Sequence, residues 1–384
     1  MSFSQTILKL LVCSVLLCGC IDPYKPAVKT GAASQLVVTG YLNSQDGSAK
    51  IQLSNSQDIY NSDLPTNITG AQVTIESDAG GVAHLTETSP GSYELSGQPV
   101  DPNKKYRLTI LTSDGERYES AYSQGRNSPA IDSVTWSLDD FKNGVDIKLF
   151  THDESGQTKF YRWDYEETWQ YHSAYQSVLY YDPATSGLFR REDDIYNCWH
   201  TVPGFKIITA STSQLTENKV PGQSVVFIPR SSPKLLLKYS VLIRQFAISE
   251  DEYNYWENLR KNTENLGTLF DPLPSQLTGN ILCTSNPNKL VIGYFSVLSA
   301  TEKRLFIDGN KLPTDLTSDT GYQKCTYDTL LIADIPNRIR GIGDVYLFIG
   351  PVTQTFFTIG FSYSTKKCVD CRLTGGTTTR PAFW

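Results

Sequence analysis

Leu36-Val-Val-Thr-Gly-Tyr-Leu42 is the first of a series of short apolar runs that decide the fold class. It is followed by Ala49-Lys-Ile-Gln-Leu53, Ala71-Gln-Val-Thr-Ile75, residues 82–86, residues 92–95, Tyr106-Arg-Leu-Thr-Ile-Leu111 and Glu116-Arg-Tyr-Glu-Ser120. Asp, Gly, Ser and Asn separate the runs, and Ser113-Asp-Gly115 is a hairpin signal between the last two. Ile51/Leu53 and Val73/Ile75 keep the period of two that buries one face of a strand. Short strands at this spacing predict an immunoglobulin-like β-sandwich over 36–126. No cysteine lies in it, so its apolar faces must hold it together.

Asn127-Ser-Pro-Ala130 reads as a boundary, after which the strand pattern resumes in Ile131-Asp-Ser-Val-Thr-Trp136, Val145-Asp-Ile-Lys-Leu-Phe150 and Phe160-Tyr-Arg-Trp-Asp-Tyr165. Further strand-like runs lie at 205–210, 224–228, 290–298, 304–307, 330–333 and 345–349. One segment is helical. Ser249-Glu-Asp-Glu252 is a capping box: the Ser hydroxyl takes an early helix N–H and the Glu reaches back. Ile248 and Tyr253 suit a hydrophobic staple, Trp256, Leu259, Thr263 and Leu266 share a face, and Gly267 then Pro272 stop the helix. The chain is therefore expected to be mainly β: the sandwich, then a larger β-rich domain over 127–384 with an inserted helix near 249–266.

With 384 residues, 39 % of them hydrophobic, the chain can fill ordinary cores, while its 19 % charged fraction is below the usual ~25 %. A net charge of −6 argues against nucleic acid, whose phosphates demand a clustered basic surface.

The start of the chain reads as an address. Leu10-Leu-Val-Cys-Ser-Val-Leu-Leu-Cys18 is too short to span a bilayer but has the length of a secretory apolar region. Leu17-Cys18-Gly19-Cys20 resembles a bacterial lipobox, in which the Cys20 thiol accepts a diacylglyceryl group. Residues 1–19 are then a lipoprotein signal peptide, 20–35 a tether, and Cys20 the lipid attachment. Each buried CH₂ adds about 0.8 kcal/mol, so two or three acyl chains hold a protein on a membrane. An exported chain meets an oxidising compartment, making Cys198, Cys283, Cys325, Cys368 and Cys371 disulfide candidates; five allow two bridges and leave one thiol, with connectivity open. Cys368-Val-Asp-Cys371 has the spacing of a redox pair or half a zinc site, but it follows a Tyr/Phe/Thr-rich strand-like run instead of opening a helix in a βαβ unit.

Between Tyr161 and Tyr181 aromatic residues are concentrated. Tyr161, Trp163 and Tyr165 alternate as strand residues, whereas Trp169, Tyr171, Tyr175, Tyr180 and Tyr181 lie beyond and are candidate ligand or partner contacts, with core packing as the competing reading. Sequence motifs for a nucleophile elbow, a zinc protease or a phosphate loop do not occur, so no catalytic residue, metal or cofactor is assigned. A hydrolase assembled from distant carboxylates stays open. Glu192-Asp193-Asp194 reads as a solvated acidic loop.

Three stretches carry a family resemblance: 36–42 with Tyr106-Arg-Leu-Thr-Ile110; Arg244-Gln245 through Ile248-Ser249, Tyr253, Tyr255-Trp256, Gly267, Phe270-Asp271 and Gly279-Asn280; and Cys368-Val-Asp-Cys371 through Gly375-Gly376 to Pro381-Ala-Phe383-Trp384. The chain resembles the Bacteroidetes lipoproteins carrying the "domain of unknown function 4249". Thr378-Thr379-Arg380 departs from the Asn-Val-Lys common in that family before the last proline. The resemblance implies an outer-membrane lipoprotein partnered by a TonB-dependent, SusC-like receptor, and it implies no reaction. The expected function is non-enzymatic assistance in ligand capture or uptake. The expected location is the extracellular face of the outer membrane, with the periplasmic face as the other alternative. A structural or assembly role without a small ligand is the competing function.

Overall fold

The computed structural model describes residues 35–56, 65–97, 100–264, 279–316 and 320–384, and the chain in it is mainly β. Cys20, Leu266, Gly267 and Pro272 lie outside the described residues.

Two sheets face one another in the first lobe. One joins Leu36–Asn43, Ala49–Asn55, Ser92–Leu95 and Thr86–Ser89; the other joins Arg117–Ser120, Lys105–Leu111, Gln72–Ser77 and Val82–His84. Alternation works as read: Ile51, Leu53, Val73, Ile75, Leu108 and Ile110 meet in one core. Gly40, at φ 135°, is needed in the first strand because a Cβ there would collide with the Lys50 carbonyl oxygen.

The division at 126/127 does not describe how this core is completed. Ile281–Cys283 pairs with Arg117–Ser120, and Val291–Gly293 and Val297–Leu298 pair parallel with Leu36–Asn43. Ile281, Cys283, Val291, Phe295 and Val297 are buried in the first lobe's core. A lone edge strand exposes both its apolar face and its unpaired backbone groups, and the returning chain covers both.

A second lobe packs Ile131–Asp139, Gly144–His152 and Lys219–Pro229 against Asn197–Pro203, Phe160–His172, Lys238–Ala247 and Ala300–Asp308. Val145, Ile147 and Leu149 alternate inward, opposite Tyr161, Trp163, Val241 and Ile243. The Trp163 indole N–H donates to Gln245 Oε1 at 2.9 Å, and the Gln245 amide donates to the Pro129 carbonyl at 2.9 Å and to Thr151 Oγ1 at 3.1 Å. This fully buried amide is thereby satisfied, as burial requires.

A small third lobe divides what the sequence suggested was one C-terminal domain. Tyr327–Leu331, Phe357–Thr365 and Tyr346–Gln354 form a sheet covered by the helix Ile335–Val345 and the hairpin of Leu179–Asp182 with Gly187–Arg190. Leu330, Ile339, Ile342, Phe348 and Tyr363 are its core. The helix was missed in the sequence. Ile335, Ile339 and Ile342 fall at helical spacing, with Pro336 in the first turn, but Gly341 and Gly343 mask the signal.

Candidate functional site

The helix Glu250–Glu264 lies where the first two lobes meet. Ser249 caps it as expected, its Oγ accepting from the Glu252 N–H at 3.1 Å. The reciprocal half of the capping box is absent. Glu252 turns inward instead, accepting from the Trp256 indole N–H at 3.2 Å and from the Ser296 hydroxyl at 2.6 Å. The helix buries Glu252 and Tyr255 and exposes Thr263, so its inner face is rotated from the one read in the sequence. Tertiary donors won because a 3 % exposed carboxylate must be hydrogen-bonded.

Around Glu252 is a cleft of about 250 Å³ between the first strand, the long strand Phe160–His172, the helix and residues 294–298. Tyr41, Arg162, Asp164, Trp256 and Tyr294 line it with Glu252. The Arg162 guanidinium carbon lies 4.7 Å from the Phe246 ring centre and 4.8 Å from that of Trp256, and its Nη1 is 3.1 Å from Asp164 Oδ1. Burial pushes the Glu252 carboxyl above its ordinary range, the Arg162 charge only partly opposing it. Burial likewise raises the Tyr41 phenol. The cleft thus offers aromatic walls and a neutralised cation. Among the described residues no group of three or more His, Cys, Asp or Glu is placed to hold a metal.

The second feature is a pair of disulfides, Cys198–Cys371 and Cys325–Cys368. Neither cysteine of the C-terminal CxxC bonds the other. Cys371 ties the turn Cys371–Thr374 to the second lobe's strand Asn197–Pro203, while Cys368 ties the short helix Lys366–Val369 to the loop leading into Tyr327–Leu331. Asp370 between them is pushed up by burial and pulled down further by its hydrogen bonds from Arg372, leaving it below the usual carboxylate range. Among the described residues Cys283 is the unpaired thiol, buried in the first lobe.

The family described as "Domain of unknown function (DUF4249)" matches residues 21–304. The chain belongs to the DUF4249 family. No curated protein matches it. In this DUF4249 chain the matched span includes every residue that lines the interlobe cleft, and two stretches that carry the resemblance meet there, 36–42 through Tyr41 and 244–280 through Glu252 and Trp256. It ends before the small lobe's sheet, so the stretch from Cys368 to Trp384 lies beyond it.

The five aromatic candidates do not form one surface in the DUF4249 chain. The strand Phe160–His172 runs on through Trp169 and Tyr171 instead of stopping at Tyr165. Trp169 is half-buried, its ring 4.7 Å from that of His200 and tilted 32° to it, and covered by the Lys234 ammonium at 4.9 Å. That ammonium also pairs with buried Glu167 at 2.9 Å, and burial with the Lys234 charge holds the His200 imidazole below its ordinary value. Tyr171 is buried and donates to the Cys371 carbonyl at 2.7 Å; Tyr175 donates to the Cys325 carbonyl at 2.9 Å. Tyr181 packs in the small lobe's core against Gly343, where a Cβ would collide with its ring. Tyr180 alone of the five is exposed, its ring 5.8 Å from that of Phe189. Phenol groups near carbonyl-rich turns serve as buried donors, a use that composition cannot separate from surface display.

The apolar surface lies elsewhere. Nine of the twenty large apolar side chains exposed among the described residues belong to the small lobe, with Val178, Tyr180, Phe189, Val345, Phe356 and Phe357 among them. The sequence signal available was the absence of any charged residue between Asp344 and Lys366.

Proposed function

We propose that this chain is an outer-membrane lipoprotein, acylated at Cys20, that works by binding as the accessory of a TonB-dependent receptor in ligand capture or uptake. The apolar surface concentrated on the small lobe carries the reading. Contiguous apolar patches on a protein surface mark sites of protein or membrane contact. The disulfides hold this lobe at a set position on the second lobe, as a docking surface requires. The charged groups of the interlobe cleft support binding over catalysis, since Glu252 is already committed to Trp256 and Ser296, and Nη1 of Arg162 to Asp164. The lipobox and the DUF4249 membership support the location.

The test is purification of the tagged chain from membranes in mild detergent. A large β-barrel protein, identified by mass as a TonB-dependent receptor, should accompany it at equal stoichiometry, and the N-terminal peptide should carry acyl chains on Cys20. Recovery of the chain alone would remove the receptor from the proposal and favour a structural role in the outer membrane. Protection of the whole folded body, the first two lobes included, from protease on intact cells would assign the periplasmic face.

A further inference from the structure

The hairpin that ends the small lobe's sheet projects from the lobe. At its base Phe348 and Tyr363 enter the core, and charge returns there, with the Lys366 ammonium 3.2 Å from the Asp344 carbonyl. From 351 to 358 every residue except Val352 is exposed. Four residues per strand at about 3.3 Å each put the tip roughly 13 Å beyond the packed body. Phe356 is 90 % exposed and Phe357 76 % exposed at that tip.

The turn is built against local preference. Gln354 pairs with Phe357 across a two-residue loop, and Thr355 takes φ 57° where Asn or Gly is the usual occupant. A β-branched residue in the left-handed region is strained, and here the strained turn carries two phenylalanines out into solvent.

We propose that this tip enters the surface of a lipid bilayer, with the Phe356 and Phe357 rings at the boundary between headgroups and acyl chains. Amphipathic elements sit about 5–10 Å into that boundary, a depth the projecting tip can supply. The freedom from charge suits lipid as the occupant, because any ionised group carried into the bilayer is penalised. No Asp, Glu, Lys, Arg or His occurs from 345 to 365, while Thr353, Gln354, Thr355 and Thr358 keep the tip polar enough for headgroups. Cross-strand pairing of Thr353 with Thr358 and Gln354 with Phe357 satisfies backbone groups that lipid would leave unpaired. The inference rests on the reading that Cys20 is acylated. The chain from Cys20 to Gln35 reaches at most about 50 Å at ~3.4 Å per residue, which holds the folded body beside the bilayer.

Phe356→Trp places a reporter at the tip, and the parent's six Trp serve as the background. The acylated variant is reconstituted in phosphatidylethanolamine–phosphatidylglycerol vesicles, with and without bromine on the upper acyl chains. The added emission should be blue-shifted and at least twofold quenched by bromine. Emission at the wavelength of water-exposed indole, indifferent to bromine, overturns the proposal. So does a blue shift that appears only with a co-reconstituted receptor, because the ring would then face protein. The mass of the N-terminal peptide in the same sample reports acylation, so failure of the anchor and failure of the tip are read separately. Phe356→Ser with Phe357→Ser should leave the melting temperature unchanged, since neither ring belongs to a core cluster, and should abolish protection of the hairpin from protease on vesicles.

Discussion

Tyr171 and Cys371, 200 positions apart, are joined by a hydrogen bond of 2.7 Å from the phenol to the carbonyl. Tyr171 also pairs across the sheet with Cys198, whose sulfur is bonded to that of Cys371. The Thr374 hydroxyl donates to the same phenol at 2.9 Å. Tyr171→Phe should therefore keep the fold and lower stability by about 1 kcal/mol, the usual net value of one buried hydrogen bond. A urea titration of parent and variant measures it.

Two bridges and one buried thiol give a countable result. Of Cys198, Cys283, Cys325, Cys368 and Cys371, only Cys283 should react with a thiol reagent after unfolding without reductant, and none in the native protein. Breaking Cys198–Cys371 with a double Ser substitution should cost about 2–5 kcal/mol. It should also free the C-terminal segment, made visible by earlier proteolysis near residue 371.

Gln245 tests the second lobe's core. Gln245→Leu keeps the volume but orphans the Trp163 N–H and removes a donor from Pro129 and Thr151. Each orphaned buried group costs about 1–3 kcal/mol, so a loss on the order of 3 kcal/mol is expected in thermal unfolding.

Two carboxyls should shape the pH dependence in opposite senses. Burial raises folded Glu252 above its ordinary 4.5, so the native state holds that proton more tightly than the unfolded chain. Its contribution is full below 4.5 and is lost as pH rises through the folded value. Glu252→Gln should flatten that fall in denaturation curves taken between pH 4 and 7. Asp153 is the reverse case. Burial would raise it, yet donors from Ser155 and Thr158 outweigh burial and hold it at about 2. Its contribution is present above the ordinary 3.8 and lost as pH falls through 2. Asp153→Asn should cost on the order of 1 kcal/mol at pH 7 after solvent screening, with the difference vanishing in acid.

The strand series from Leu36 to Ser120, the capped helix after Ser249 and the inward set Tyr161/Trp163 were legible because each rests on a local period or a local cap. So was the arithmetic of five cysteines, two bridges and one spare. The hairpin tip at Phe356 was not, since Thr355-Phe356 lacks the Asn or Gly that usually announces such a turn.

By itself the sequence determined the mainly β class, the helix start and the candidates for bridging, all consequences of spacing along the chain. The tertiary structure decided which cysteine met which, that Val291 and Val297 complete the first lobe, and that Glu252 serves Ser296 instead of its own cap. It also divided the aromatics, burying Tyr171 and exposing Phe356. An aromatic ring gains free energy from burial wherever a complementary surface forms, and that surface is made of residues distant in sequence. Local pattern cannot specify it.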